Sequence, residues 1–111
     1  MPTDTNYTGN LFGGRMLEWM DELAGITARR FAKTDVMTVA IENVTFKHPM
    51  PNACFLDMIA EVIHVGNTSM KIKITVKMDQ NEGQEQIQTA EAFFIFVALD
   101  ENRRPKKIER A

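Results

Sequence analysis

The sequence predicts an α+β fold in which one long helix lies on one face of an antiparallel sheet, and three observations lead to this expectation. Apolar residues recur every three or four positions over residues 14–32, which is the period of an amphipathic helix. Four later segments are instead rich in β-branched residues or alternate between apolar and polar residues, as strands do. Short polar links join these segments, so we expect consecutive strands to pair as hairpins.

The helix is expected to begin at Gly13 and Gly14, which lie at the start of the periodic segment, and to end near residue 32. Met20 and Leu23 lie on its apolar side, while Glu22 lies on the opposite, charged side. At 1.5 Å per residue such a helix is about 28 Å long. That is a long element for a chain of 111 residues.

The four strands are expected over residues 37–46, 55–65, 69–78 and 86–99. Gly66 and Asn67 tolerate positive φ, so they predict a tight turn between the second and third strands. In the third strand the lysines Lys71, Lys73 and Lys77 share one face, which is expected to meet water or anions.

The last strand has apolar residues on both of its faces, and one helix cannot cover both. Residues 92–99 (AFFIFVAL) are apolar at odd and even positions, which is typical of a strand buried on both faces. Because one helix covers only one face of a sheet, we expect a partner subunit to cover the other. The alternative is an aggregation-prone strand that is protected by neighbouring charged residues.

The overall composition is that of a single globular domain, with 44% hydrophobic and 25% charged residues. A net charge of −2 gives no support to nucleic-acid binding, which depends on cations that neutralise phosphates. Cys54 is the only cysteine, so an intrachain disulfide is excluded and a reducing compartment is expected. No apolar run is long enough to span a membrane and no signal peptide is evident, so the cytoplasm is the expected location.

Two features of the helix point to chemistry. Gly14 has no side chain, so a ligand could approach the first free N–H groups of the helix, where an oxyanion is stabilised. Asp21 lies about two turns further on, beside Leu17 and Ala24, and an ionised carboxylate can take a proton from water. The residues alone leave plainer interpretations open, namely a flexible helix entry at the glycines and a solvated acid next to Glu22.

Other residues offer weaker signals. The amide of Asn10 could orient a water molecule or a carbonyl group, or it could only cap a turn. His48 and His64 have no second histidine or cysteine at ligand spacing, so no metal site is expected. The sequence has no G-x-S-x-G motif, so serine catalysis is not indicated.

These blocks together resemble the hotdog-fold acyl-CoA thioesterases. The resemblance rests on NLFGGRMLEWMDELAG, VTFKHP, EVIHVGNTSM and AFFIFVALD, which occur in the order of the family and cover most of residues 4–107. It implies a long central helix wrapped by a curved antiparallel sheet, in a single domain over residues 1–111. It also implies that the strand which usually precedes the D-T-N segment is lacking.

The resemblance also implies the activity and the residues that perform it. The function is hydrolysis of an acyl-CoA thioester, within lipid metabolism and without a metal or redox cofactor. Asp21 corresponds to the base or nucleophile that delivers water, the Gly14 N–H to the oxyanion donor, with Gly13 beside it, and Asn10 to the motif asparagine. For such an enzyme, apolar helix residues such as Trp19, Met20 and Leu23, together with the sheet face, would accept the acyl chain, although core packing alone would require the same residues.

For the coenzyme A moiety, the resemblance implies contact with the turn formed by Gly66, Asn67, Thr68 and Ser69. The basic residues of the C-terminal segment, Arg103, Arg104, Lys106 and Lys107, lie where they could meet its phosphates, although a solvated tail is the alternative. The family forms homodimers with the active site at the subunit interface, and these often assemble into hexamers. Two other functions remain open: a non-catalytic acyl-CoA binding or sensor module, and a hydratase or dehydratase.

Overall fold

The structure is a computed structural model that describes residues 4–47, 56–80 and 85–109, with side chains for residues 14–47, 56–78 and 87–109. These described residues form one helix and four strands: α1 (Asp4–Ala32), β1 (Asp35–Phe46), β2 (Leu56–Val65), β3 (Ser69–Gln80) and β4 (Glu85–Leu99). The predicted α+β class is confirmed, and each strand begins and ends within two residues of its expected position. His48 and Cys54 lie outside the described residues.

The helix begins ten residues earlier than the sequence pattern indicated. It starts at Asp4, so Gly13 and Gly14 lie inside α1 instead of at its beginning. An acidic residue in the first turn complements the helix dipole. A glycine in a helix interior costs only about 1 kcal/mol relative to alanine, so two glycines do not have to end a helix.

The sheet is antiparallel with the strand order β1-β4-β3-β2. The expected hairpins between β2 and β3 and between β3 and β4 are present. The expected hairpin link between β1 and β2 is wrong, because these two strands are the opposite edges of the sheet. Alternation of apolar residues identifies a strand, but it does not say which neighbour the strand will pair with.

The core lies between α1 and one face of the sheet. Met16, Met20, Ala24 and Ala28 recur every four residues along α1 and are fully buried. They pack on the even-numbered side chains of β3 and β4, where Ile72, Ile74, Val76, Phe94 and Ala92 are fully buried. Ala24, Ala28 and Ala92 have small side chains, which allow the helix to approach the sheet closely. This contact determines the position of the middle of α1 above the sheet.

The other face of the sheet is only partly covered within one chain. The odd-numbered side chains Phe93, Ile95 and Val97 of β4 are half-buried. The aliphatic and charged parts of Lys71 cover part of this surface, because its Nζ lies 5.3 Å from the Phe93 ring centroid and 3.2 Å from Glu42 Oε1. Apolar residues on the two edge strands remain exposed. In the described part of the chain, no helix has the length and apolarity needed to cross a membrane.

Candidate active site

Asp21 is a half-buried carboxylate in the middle of α1, on the side of the helix that faces β1. Thr38 of β1 donates a hydrogen bond from its Oγ1 to Asp21 Oδ1 at 3.0 Å. Thr38 reaches the helix because it has the same orientation in β1 as Val36, with Met37 pointing the other way. The bond therefore connects two elements and fixes the orientation of the carboxylate.

The other oxygen of this carboxylate is not bound by the described part of the chain. Asp21 Oδ2 accepts no hydrogen bond from a described residue, and Asp21 forms no ion pair within the described ranges. The surrounding helix residues Leu17 and Ala24 are apolar, as the helical pattern predicted. Asp21 is thus a carboxylate at the border of the core whose Oδ1 is held by a neutral donor, and whose Oδ2 has no partner within the described ranges.

Thr38 is the residue that sequence reasoning missed. Nothing in the segment 35–46 distinguishes it from the other β-branched residues of a strand. One signal was present: Thr38 is polar, whereas Val36 and Ala40, two residues before and after it, are apolar or small. That pattern is informative only once the helix-facing side of β1 is known.

Gly14 lies seven residues before Asp21, which places it on the same side of α1 at a distance of about 10 Å along the axis. A methyl group built at Gly14 would have no atom within 4 Å, so packing within the chain does not require a glycine there. However, the expected free helix N-terminus is wrong for this structure. In a continuous α-helix the Gly14 N–H has the carbonyl of residue 10 as its partner.

Gly13 and Asn10 share the helical backbone of α1, but their side-chain surroundings lie outside the described residues. Among the apolar residues expected to accept an acyl chain, Met20 is fully buried in the core and is therefore already occupied by packing. Trp19 is 40% exposed and Leu23 is half-buried. Of these three residues, only Trp19 and Leu23 present accessible surface.

The segment from Gly66 to Ser69 forms the turn between β2 and β3. The Gly66 N–H donates to the Ser69 carbonyl at 2.7 Å, and a Cβ at Gly66 would lie 3.1 Å from Ser69 Oγ, so this position has little room for a side chain. The expected tight turn is present, and it forms without the left-handed backbone conformation that Gly66 and Asn67 both tolerate. The Thr68 carbonyl accepts a hydrogen bond from the Ala98 N–H at 2.9 Å, which holds the turn against β4.

The C-terminal segment folds back beside this turn. Arg103, which has a φ of 64°, and Arg104 belong to a turn around Asp100, whose Oδ1 accepts hydrogen bonds from the Asn102 and Arg104 N–H groups. The Lys106 N–H then donates to the Ala98 carbonyl at 2.7 Å. Residues 106–109 therefore run next to the end of the sheet.

An open cavity of about 1050 Å³ lies between the end of α1, the β2–β3 turn and this C-terminal segment. We call it the basic cavity, because its charged lining is mainly cationic. Its lining includes Arg30, Phe31, Lys33, Asn67, Lys106 and Lys107. Arg103 and Arg104, which the sequence placed near the phosphates, do not line it. Arg30 is nine residues after Asp21, so the cavity is about 14 Å from the carboxylate along the helix axis.

Comparison with known proteins agrees with this architecture. The model of the thioesterase superfamily matches residues 8–84. A Zymomonas mobilis protein named "uncharacterized acyl-CoA thioester hydrolase" is 38% identical over 108 residues, which are 97% of this chain and 72% of that protein. The acyl-CoA hydrolase of Staphylococcus aureus, solved with butyryl coenzyme A, coenzyme A and coenzyme A disulfide, is 31% identical with a TM-score of 0.86. That match covers 97% of this chain and 66% of the S. aureus chain.

A hexameric broad-specificity acyl-coenzyme A thioesterase is 34% identical with a TM-score of 0.80, over 99% of this chain and 76% of that one. Variants of the S. aureus hydrolase, in which an asparagine, an aspartate or a threonine is replaced by alanine, also match. The fold, the family model and the identities agree with the resemblance noted in the sequence motifs. The chain therefore belongs to the thioesterase superfamily, among its hotdog-fold acyl-CoA thioesterases.

Proposed function

We propose that this chain hydrolyses acyl-CoA thioesters to coenzyme A and a carboxylic acid, with Asp21 as the residue that activates water. The observation that carries the proposal is the hydrogen bond between Thr38 and Asp21, which holds a carboxylate at the edge of the core in a chain of this family. Relatives in the same family are named acyl-CoA thioester hydrolases, and one of them was solved with butyryl coenzyme A.

The spacing of three residues supports this assignment. In the S. aureus hydrolase the replaced aspartate lies 15 residues after the replaced asparagine and 17 residues before the replaced threonine. In this chain Asn6 lies 15 residues before Asp21, and Thr38 lies 17 residues after it. The same spacing favours Asn6 over Asn10 for the role of the asparagine that orients a water molecule or the thioester carbonyl.

The proposed reaction needs water as its only co-reactant. Asp21 Oδ2 accepts a proton from a water molecule as the water oxygen attacks the thioester carbonyl carbon. The carbonyl oxygen becomes an oxyanion, which a backbone N–H can stabilise. When the carbonyl re-forms, the C–S bond breaks and the sulfur leaves as the thiolate of coenzyme A, which is a good leaving group. The proton held by Asp21 is then released to the thiolate or to water, which restores the carboxylate.

Gly14 is the proposed oxyanion donor, and this role has a structural requirement. Its N–H can bind an oxyanion only if the turn of α1 that precedes it opens and releases the intrahelical hydrogen bond. Two successive glycines make that opening easier, because each lowers the stability of the helix by about 1 kcal/mol relative to alanine. The bare surface around Gly14 would also allow the substrate to approach the backbone.

We further propose that the working form is a homo-oligomer, built from dimers that could assemble into a hexamer. Large apolar side chains are exposed on both edge strands, and a similar chain is a hexameric thioesterase. Three expectations stay predictions. They are the coenzyme A contact of Gly66, Asn67, Thr68 and Ser69, the phosphate contact of Arg103 and Arg104, and the cytoplasmic location.

The activity can be tested by measuring thiol release from short, medium and long acyl-CoAs. Asp21→Asn should lower kcat by about 10²- to 10⁴-fold, because the amide cannot accept a proton from water. Glu22→Gln, which removes an exposed carboxylate from the next residue of α1, is the matched control and should retain wild-type activity.

Equal rates for Asp21→Asn and wild type would end the assignment of Asp21 as the base. Tight binding of acyl-CoA by the wild type without any thiol release would instead support the sensor function.

A further inference from the structure

Gly25 is a glycine in the interior of α1 that neither the backbone nor the packing of the chain requires. It belongs to the continuous helix and does not have a positive φ, so its backbone suits residues with side chains. A Cβ built at this position would have one neighbour within 4 Å among the described residues, the Phe96 ring at 3.9 Å, which is an ordinary contact. Because glycine destabilises a helix interior relative to alanine, the missing side chain has no explanation within the chain.

The position of Gly25 connects it to the proposed catalytic carboxylate. Gly25 follows Asp21 by four residues, so the two positions lie on the same side of α1, about 5–6 Å apart. The ring next to Gly25 belongs to Phe96, which pairs with Thr38 in the register of β1 and β4. Thr38 in turn donates its hydrogen bond to Asp21 at 3.0 Å. These four residues are therefore neighbours in a closed circle, and the unfilled space at Gly25 lies beside the carboxylate.

We call this unfilled space the Gly25 gap, and its floor is apolar. Phe96 is 2% exposed, and Gly25 itself is half-buried. Leu17 lies on the other side of Asp21, four residues before it, and its large side chain packs against the core. Of the two positions that adjoin Asp21 along this side of α1, only that of Gly25 leaves room for an apolar group.

The residues expected from the sequence to accept the acyl chain lie on a different side of α1. Trp19 and Leu23 are each two residues from Asp21, which corresponds to a rotation of about 200° around the helix axis. Met20 is fully buried in the core. An acyl chain whose carbonyl group lies at Asp21 therefore reaches Gly25 more directly than it reaches Trp19 or Leu23.

We propose that Gly25 determines which acyl groups the chain accepts. The Gly25 gap receives the carbons of the acyl chain that follow the thioester carbonyl, and the Phe96 ring is the surface on which they pack. This inference rests on the proposed acyl-CoA hydrolysis and adds the residue that sets its acyl specificity. The gap makes the chain a hydrolase for acyl groups longer than acetyl.

The first test is the hydrolysis of acetyl-CoA and octanoyl-CoA by wild type, Gly25→Ala and Gly25→Leu. A leucine side chain fills the gap, so kcat/KM for octanoyl-CoA should fall about tenfold more than kcat/KM for acetyl-CoA, and the methyl group of Gly25→Ala should have a smaller effect. Ile26→Ala changes the next residue, which is 52% exposed, and should keep the wild-type ratio. Equal losses for the two substrates in Gly25→Leu, or a wild type that hydrolyses acetyl-CoA alone, would overturn the proposal.

Trp19→Ala separates the two assignments of the acyl contact. It should change the ratio of octanoyl-CoA to acetyl-CoA hydrolysis less than Gly25→Leu does. The reverse order would place the acyl chain on Trp19 instead of in the Gly25 gap.

A side chain of a second subunit is the other group that the gap can hold. Under the proposal, Gly25→Leu should have the oligomeric state of wild type in native mass spectrometry at equal protein concentration. Conversion of the oligomer to monomers would assign the gap to a contact between subunits and overturn the proposal. Circular dichroism would verify that each variant is folded. If the leucine is not accommodated, Gly25→Ala provides the same comparison, because its methyl group lies at an ordinary contact distance from Phe96.

The proposed activity and the proposed role of Gly25 can fail separately, because binding is measurable without turnover. In the Asp21→Asn background, calorimetry should show that Gly25→Leu weakens the binding of octanoyl-CoA about tenfold more than that of acetyl-CoA. This difference, in a protein whose wild type releases no thiol, would retain the role of Gly25 and reject the activity. Hydrolysis with the same ratio of the two substrates in wild type and Gly25→Leu would retain the activity and reject the role of Gly25.

Discussion

The hydrogen bond from Thr38 to Asp21 links an edge strand to the middle of the helix. A threonine hydroxyl is neutral, so it orients the carboxylate without cancelling its charge as a lysine or arginine would. The contact therefore positions Oδ1 of Asp21, and no described residue donates to Oδ2, which accepts the proton in the proposed reaction. Thr38 acts through Asp21, which makes it a positioning residue for the proposed reaction.

Replacing the Thr38 hydroxyl tests this role directly. Thr38→Val keeps the shape of the side chain but removes the donor, and it should lower kcat by about tenfold or more with little change in KM, because a hydrogen bond to a charged group is lost. Thr38→Ser retains a hydroxyl and should recover most of the activity. Steady-state kinetics of both variants would check the prediction. Equal kcat values for Thr38→Val and wild type would show that Asp21 does not depend on this contact.

The secondary-structure elements show what the sequence could and could not specify. The alternation of apolar residues located all four strands to within two residues, because that pattern follows from one buried sheet face. It did not reveal that β1 and β2 lie at opposite edges, since pairing partners depend on contacts between distant segments. The basic cavity was missed for the same reason: Arg30 and Lys107 are far apart in sequence.

The early start of α1 has a different cause. Local signals at Gly13 and Gly14 predict a helix boundary, but the cost of a glycine is small enough for a helix to continue through it. In the continuous helix the Gly14 N–H donates to the carbonyl of residue 10, whereas in the proposed reaction it donates to the oxyanion. A substitution at Gly14 can therefore distinguish the two uses of this N–H group.

Gly14→Ala should separate stability from activity. Because a Cβ at this position meets no atom within 4 Å, the alanine should stabilise α1 by about 1 kcal/mol. It should also lower kcat, since a stronger helix and a methyl group both hinder access to the N–H. Thermal unfolding and thiol release would measure the two effects. Gly25→Ala, whose Cβ would lie 3.9 Å from Phe96, is the control for stabilisation. A Gly14→Ala variant with full activity would contradict the oxyanion role.

The shape of the whole chain indicates that it is one layer of a larger assembly. Its radius of gyration is 16.0 Å, whereas a compact domain of this length has about 13 Å. Its extents of 44 × 37 × 19 Å describe a slab made of one helix on one sheet. One edge strand, β1, carries five exposed large apolar side chains: Met37, Val39, Ile41, Val44 and Phe46. A long apolar edge strand is a surface that pairs readily with another chain.

We expect β1 to be the edge on which a second copy of the chain pairs, which would also bring the partner close to Asp21 through Thr38. Val39→Lys/Ile41→Lys should convert the oligomer to monomers at equal protein concentration, because two charges cannot be buried at an apolar contact without a large desolvation cost. Native mass spectrometry and light scattering would measure the change. Ile59→Lys/Ile63→Lys places the same charges on exposed residues of the other edge strand and should leave at least the dimer intact. Monomers from the β2 variant and oligomers from the β1 variant would assign the dimer contact to the opposite edge.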